Sequence, residues 1–348
     1  MDNLVLHLTQ RCNLRCKYCF MTLGTGEMTE EVAKAAVDYA IKHSEKYVRV
    51  NFFGGEPLLR FDLIQYVTNY IKTATDKPTR LDIVTNGTLL TQDFFDFAEE
   101  NKIRISLSYD GLANDDNRVN ENGKGLLDIG KYREEIKKYR IVSASVLNVD
   151  NIGMWHDNIV HLKELGFRFM DFFIDYKSKW KKHHVEILRE EYKKIGKSYV
   201  KWMNEGDKVN ITKLDDMIGA YMSKFNLDKV RMVRDYAYSI DVNGDIYPYA
   251  SAVGNKKLLL GNVVTGEKTP AMAKLESAGM VESCRDCCIN DACVSAKGNE
   301  ITDELVPIAK PIACASYKLA FDTADYIVNA RLDDFKLQPS NKVLRRKI

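Results

Sequence analysis

No stretch of this chain approaches eighteen uninterrupted apolar residues, so a membrane-crossing helix of ordinary length is excluded. The N-terminus reaches Arg11 and Cys12 before a signal-like apolar run can develop. Charge of one sign is also missing: 51 basic against 49 acidic residues leave a formal +2, and nothing there calls for nucleic acid. Internal repeats and low-complexity tracts are absent. Hydrophobic residues at 45% and aromatics at 10% exclude disorder as the dominant state. A cytoplasmic protein is expected, with no membrane and no nucleic acid as partner. At 348 residues, one large domain with a smaller appendage is the natural division, since a barrel can run to roughly 250 residues as one unit.

Cysteine is absent between positions 20 and 283. The eight cysteines fall at the two ends, as Cys12, Cys16 and Cys19 and then Cys284, Cys287, Cys288, Cys293 and Cys314. Thiols scattered through a reduced core would not cluster so, and disulfides are disfavoured in a reducing compartment. Ligation of a metal or cluster is the better reading.

Between the two groups the pattern alternates. Strands are predicted at Leu4 to Leu8, Val48 to Phe53, Leu81 to Val84, Ile103 to Ser108, Ile141 to Leu147 and Phe167 to Ile174. Helices are predicted at Met28 to His43, with Thr29 as N-cap, then Phe61 to Thr73, Gln92 to Asn101 and Trp155 to Leu165. Six strands that each lead into a polar or glycine-containing loop and then a helix argue a parallel α/β architecture with the site on those loops. Charged helices follow, from His183 to Asn204 and around Leu214 to Phe225. Tyr236 to Tyr249 reads as a hairpin about Asn243-Gly244, and its alternating tyrosines are packing residues. Phe321 to Ile348 reads as a mixed tail.

Cys12-x3-Cys16-x2-Cys19 offers three thiolates from one loop, enough to hold three irons of a [4Fe-4S] cluster and leave the fourth open to chemistry. The rival is a zinc ion held by these cysteines and a histidine, with His7 nearby but inside a strand. Cys284-x2-Cys287-x5-Cys293 followed by Cys314 supplies four thiolates, a closed set for a second cluster or equally for zinc.

Tyr18 precedes the third cysteine, and strand two ends in Gly54-Gly55-Glu56-Pro57. In this the chain resembles the radical S-adenosylmethionine (SAM) enzymes, whose motifs are CxxxCxΦC and GGEP. The resemblance implies a partial (β/α)6 TIM-type barrel over residues 1–175, with SAM chelated by the open iron and split to a 5′-deoxyadenosyl radical. It implies that the GGEP backbone and the Glu56 carboxylate hold the methionine amino group. Thr85, Asn86 and Ser108 then stand at strand ends that contact SAM. Arg118 is either a carboxylate clamp or a brace for its loop.

The later cysteines resemble the SPASM auxiliary-cluster domain. Ligand positions of that pattern are lost to Tyr249 and Lys297, an earlier cysteine is missing too, and these belong to its first cluster, whereas Cys284, Cys287, Cys293 and Cys314 complete the second. The resemblance thus implies two [4Fe-4S] clusters in all. It divides the chain into a core barrel (1–175), a helical bridge (176–234), a SPASM/twitch-like auxiliary domain (235–320) and a C-terminal tail (321–348). Cys288 is left over, as a buried small residue or a hydrogen-atom donor. Ala250 stands where sulfatase-maturating members carry an acidic base, which argues against that activity.

Such enzymes mostly act on ribosomally made peptides. The expected function is oxidative thioether or carbon-carbon crosslinking of a peptide, with a reductant such as flavodoxin or ferredoxin. The alternative is epimerisation or dehydrogenation of a peptide residue or a small sugar-like substrate. With a strand starting at Leu4, leader binding is expected from a separate protein, the bridge helices or the barrel mouth.

Overall fold

A computed structural model describes residues 3–226, 237–277, 281–287, 289, 293, 300–302, 307–308 and 310–331. Six parallel strands carry the first half: β1 (Asn3–His7), β2 (Val48–Phe53), β3 (Thr79–Thr85), β4 (Arg104–Ser108), β5 (Val142–Leu147) and β6 (Phe169–Ile174). Between them run α1 (Glu30–His43), α2 (Phe61–Ala74), α3 (Gln92–Glu100), the short α4 (Asn114–Asn117) and α5 (Arg133–Lys138), and α6 (Trp155–Leu165). Alternation decides which face each strand shows. Leu4, Leu6, Val50, Phe52 and Ile83 are fully buried on the helix side, while Arg49, Asn51 and Phe53 are half-buried on the other.

The local signals behave as their chemistry requires. The Thr29 side chain accepts from Val32 N–H at the start of α1, whose Ala33, Ala36, Val37 and Ala40 are buried. At the other pole of a helix, Gly166 ends α6 with φ of 104°, a conformation that favours glycine.

The sheet is larger than the six strands expected. A two-residue strand β7 (Asn210–Ile211) pairs parallel with β6, and β8 (Ala237–Ile240) pairs parallel with β1 along Asn3 to Leu6. With β9 (Asp245–Tyr247) and β10 (Gly261–Asn262) the order is β10-β9-β8-β1-β2-β3-β4-β5-β6-β7. Among the described residues β1 pairs with β2 and β8 and not with β6, so the barrel is partial. The hairpin expected about Asn243-Gly244 is β8 and β9, closed by Asp241, whose Oδ1 accepts from Asn243 N–H and Asp245 N–H. The sheet therefore runs on across the division expected between the bridge and the auxiliary domain. Tyr238 and Tyr247 are buried and Tyr249 half-buried; Tyr236 lies outside the described residues.

The bridge helices are α7 (Lys182–Asn204) and α8 (Thr212–Asn226); α9 (Pro270–Ser277) follows the hairpin. One expectation is corrected: residues 321–330 are no mixed tail but the second half of α10 (Pro311–Ala330). That helix packs on both α7 and α8, with Tyr192 Oη and Ser316 Oγ 3.1 Å apart and Tyr221 Oη donating to Asp325 at 2.5 Å. Its alternation of small and branched residues, from Ala313 through Ala320 and Ala324 to Val328, lets it lie close against two partners. Among the described residues no helix is long and apolar enough to cross a membrane.

Candidate active site

All six parallel strands end on one side, and the loops that leave them converge there. The loop after β1 carries Cys12, Cys16 and Cys19, the first two half-buried and the third exposed. Two neighbours pin its backbone. Gly55 N–H donates to Thr9 C=O at 2.8 Å and Glu56 N–H to Arg11 C=O at 2.9 Å, while Arg15 and Lys17 N–H donate to Val119 and Asn117 C=O. Gly55 has no spare room: a Cβ there would stand 2.1 Å from Arg11 C=O.

Glu56 knits the next two loops together. Its Oε1 accepts from Leu58 N–H at 3.0 Å and Thr85 Oγ1 at 2.7 Å, and its Oε2 from Asn86 N–H at 2.8 Å. Burial pushes this carboxyl up to about 7 against the pull of those three donors. With these three donors Glu56 organises the loops around it. Pro57 opens a short 3-10 turn immediately after it. Asn86 reaches the cysteine loop, with Nδ2 2.8 Å from Asn13 Oδ1 and 3.9 Å from Cys12 Sγ.

Asp110, after β4, is the second organiser. Its Oδ1 accepts from Arg118 at 3.0 Å and from Val146 N–H at 2.9 Å; its Oδ2 accepts from Asn117 Nδ2 at 3.3 Å and from the Tyr18 hydroxyl. Arg118 also lies 5.2 Å over the Tyr18 ring, and its Nε has no partner. Burial would lower the Arg118 value, but Asp110 holds it above its ordinary range. Arg118 thus braces its loop through Nη2 while its Nε stays open. Ser108 ends β4 half-buried at the same mouth.

Asp110 is not singled out by the motifs above. The available signal was a carboxylate two residues past a strand end with an arginine eight residues on. His7, the zinc rival's fourth ligand, is buried, makes no hydrogen bond and stands edge-on to Phe53. Burial lowers it to about 4.

The three thiols interact electrostatically with one another; burial raises Cys12, and it raises Cys16 to about 11 with Arg118 opposing. Among the described residues no three cysteine, histidine or carboxylate groups are set for a single metal ion. A four-iron cluster takes each thiolate on its own iron. Three soft donors on one loop, held against a glycine pair, fit such a group by their chemistry.

Of the later thiols, Cys314 lies on α10, and Cys284, Cys287 and Cys293 cluster with Tyr317 and Phe321 of that helix. Cys293 is buried beside Ile289, with Cys284, Cys287, Tyr317 and Phe321 packed around them. Cys314, Tyr317 and Phe321 share a helix face by their i, i+3, i+7 spacing. From the barrel side Lys213 approaches it, half-buried, 4.8 Å over the Tyr317 ring and 3.3 Å from Ser316 Oγ. Burial lowers Lys213 to about 8, opposed by Asp171 of β6 and then Cys293. Cys288 lies outside the described residues.

Comparison with known proteins agrees with this geometry. The Radical SAM superfamily profile matches residues 6–168. An uncharacterized protein, MJ0907, of Methanocaldococcus jannaschii is 31% identical over 203 residues, 56% of this chain and 70% of that one. A cysteine-type anaerobic sulfatase-maturating enzyme of Clostridium perfringens is 25% identical over 278 residues, 72% of this chain and 74% of its own. The solved structure of anSMEcpe with bound AdoMet and Cp18Cys peptide superposes with a TM-score of 0.76 at 22% identity, covering 95% of this chain and 99% of that one.

Proposed function

The chain belongs to the radical SAM superfamily, and from that premise we propose that it modifies a peptide by oxidative crosslinking, through a thioether or a carbon-carbon bond. The family implies SAM and a [4Fe-4S] cluster, for which Cys12, Cys16 and Cys19 are the ligands. Bound there, SAM and the cluster supply a 5′-deoxyadenosyl radical by one-electron cleavage of the sulfonium. The chain's own part is to hold and enclose. Gly54 to Pro57 and Asn86 present backbone at the mouth, Glu56 and Asp110 fix those loops, and Thr85 and Ser108 stand at the adjoining strand ends.

The observation that carries crosslinking over redox-neutral chemistry is the second thiol set, one member on α10 and three beside it. Forming a bond removes one hydrogen atom from the peptide to 5′-deoxyadenosine, and then a proton and an electron. That electron needs an acceptor, and Cys284, Cys287, Cys293 and Cys314 are the complement of a closed second cluster. A structural zinc in their place would offer none. A reductant such as flavodoxin or ferredoxin starts the cycle, and a separate leader-recognition protein would deliver the peptide.

The test is anaerobic reconstitution followed by product mass. About eight irons per chain, two per-chain clusters of four, are expected, with a product lighter by two hydrogens and Cys288→Ala tolerated. Zinc with little iron would support the structural rival. An isobaric product carrying one solvent deuterium, lost in Cys288→Ala, would replace crosslinking with epimerisation. Sulfatase maturation is favoured by the relatives' printed activity, but Ala250 follows Tyr249 where a base would be needed.

A further inference from the structure

The strands of the barrel all begin at the end opposite the cysteine loop. There the loops entering β5, β6 and β7 enclose a cavity of about 670 Å3. Lys137, Lys138, Arg140, Arg168 and Lys208 line it, and no acidic residue is among its walls. Lys137 and Lys138 meet Glu134 and Glu99 outside it at 3.3 Å. Arg140, Arg168 and Lys208 form no ion pair among the described residues. The Arg140 guanidinium lies 4.9 Å over the ring of Phe169, another wall residue. Gly166 leaves the Lys137 stem room to cross, since a Cβ there would come within 2.9 Å of Lys137 Cγ.

A second observation does not depend on charge. Two non-glycine residues among those described have left-handed backbone, Lys102 with φ of 53° and Arg140 with φ of 51°. Each follows a helix C-cap, Asn101 of α3 and Tyr139 of α5, a position that glycine fills with least strain. Gly166 does so after α6. At β4 and β5 a cation fills that position instead of glycine, and at β5 this residue, Arg140, lines the cavity.

We propose that this basic cavity binds an acidic segment of the peptide substrate, remote from the residue that is modified. The inference rests on the peptide reading above. Cations set around a cavity from three separate loops fit several spaced carboxylates, each able to take a guanidinium fork or an ammonium. Distance argues against a docked electron carrier. The strands between cavity and cysteine loop run about six residues, roughly 20 Å at 3.3 Å each. An extended peptide crosses that with on the order of six residues, so its acidic segment stands at least that far from the modified position.

The test uses full-length, anaerobically purified protein and fluorescence anisotropy of a labelled octaglutamate peptide. Binding is expected to the wild type, and none by octaglutamine. Arg140→Gly and the pair Arg168→Gln with Lys208→Gln should each weaken it about tenfold or more, the loss of a charge-assisted contact. Arg140→Gly should melt no lower than wild type, because glycine relieves the left-handed position, and should cleave SAM without peptide at the wild-type rate. Absence of binding by the wild type, or unchanged affinity in these variants, would overturn the proposal. So would displacement of octaglutamate by oligothymidylate or inorganic phosphate at lower concentration than by unlabelled octaglutamate. Peptide modification with unchanged octaglutamate affinity in Arg140→Gly sinks the cavity alone. Lost affinity in a protein whose product is not a peptide sinks the peptide reading instead.

Discussion

Arg118 donates to Asp110 at 3.0 Å with both side chains buried, 8% and 0% exposed. Because the same carboxylate takes the Tyr18 hydroxyl and Val146 N–H, this pair fastens the cysteine motif to β5. Removing either partner has unequal consequences. Asp110→Ala strands a buried guanidinium and should cost about 3–5 kcal/mol. Arg118→Met leaves Asp110 three other donors and should cost less. Urea unfolding of cluster-free protein measures both, and an Asp110→Ala loss below about 1 kcal/mol would refute the role.

Glu56 makes stability depend on pH. Its folded value of about 7 lies above the ordinary 4.5 because it is buried, so between those values the folded chain keeps a proton that the unfolded chain has lost. Stability should therefore fall as pH rises from about 4.5 to 7 and level off above, by roughly 3 kcal/mol at about 1.4 kcal/mol per pH unit. Glu56→Gln should flatten that slope while weakening SAM binding, since an amide cannot accept from all three donors. Equal slopes in the two cluster-free proteins would refute the assignment.

Gly55→Ala probes the contact between the GGEP loop and the cysteine loop. A Cβ 2.1 Å from Arg11 C=O forces the loops apart, at a cost of about 1–3 kcal/mol or more. Iron content should drop toward half, with SAM cleavage lost and the later thiol set still loaded. Wild-type iron and cleavage in this variant would show that the loops need not touch.

The two thiol sets should fail differently. Alanine at Cys12, Cys16 and Cys19 should end 5′-deoxyadenosine formation. Alanine at Cys284, Cys287, Cys293 or Cys314 should abolish product and leave some uncoupled cleavage, because the first site sits in its own loop. Full product from a folded variant without the second cluster would make that set structural.

Local chemistry made much of this legible in one dimension. Thr29 with Glu30 and Glu31 marked the N-cap of α1, whose first residue, Glu30, lies two past the predicted start at Met28, and Trp155 to Leu165 was read at its observed ends. These signals act between near neighbours, so they survive without knowledge of the fold. What only the tertiary structure decided are the meetings of distant residues. Glu56 turns inward to Thr85 and Asn86, Tyr18 finds Asp110, β8 joins β1 across more than half the chain, and residues 321–330 become helix because α7 and α8 offer them a surface to bury against. Whether a carboxylate or a guanidinium faces a ligand or a neighbour depends on which donors and acceptors folding brings beside it, and no spacing along the chain carries that information.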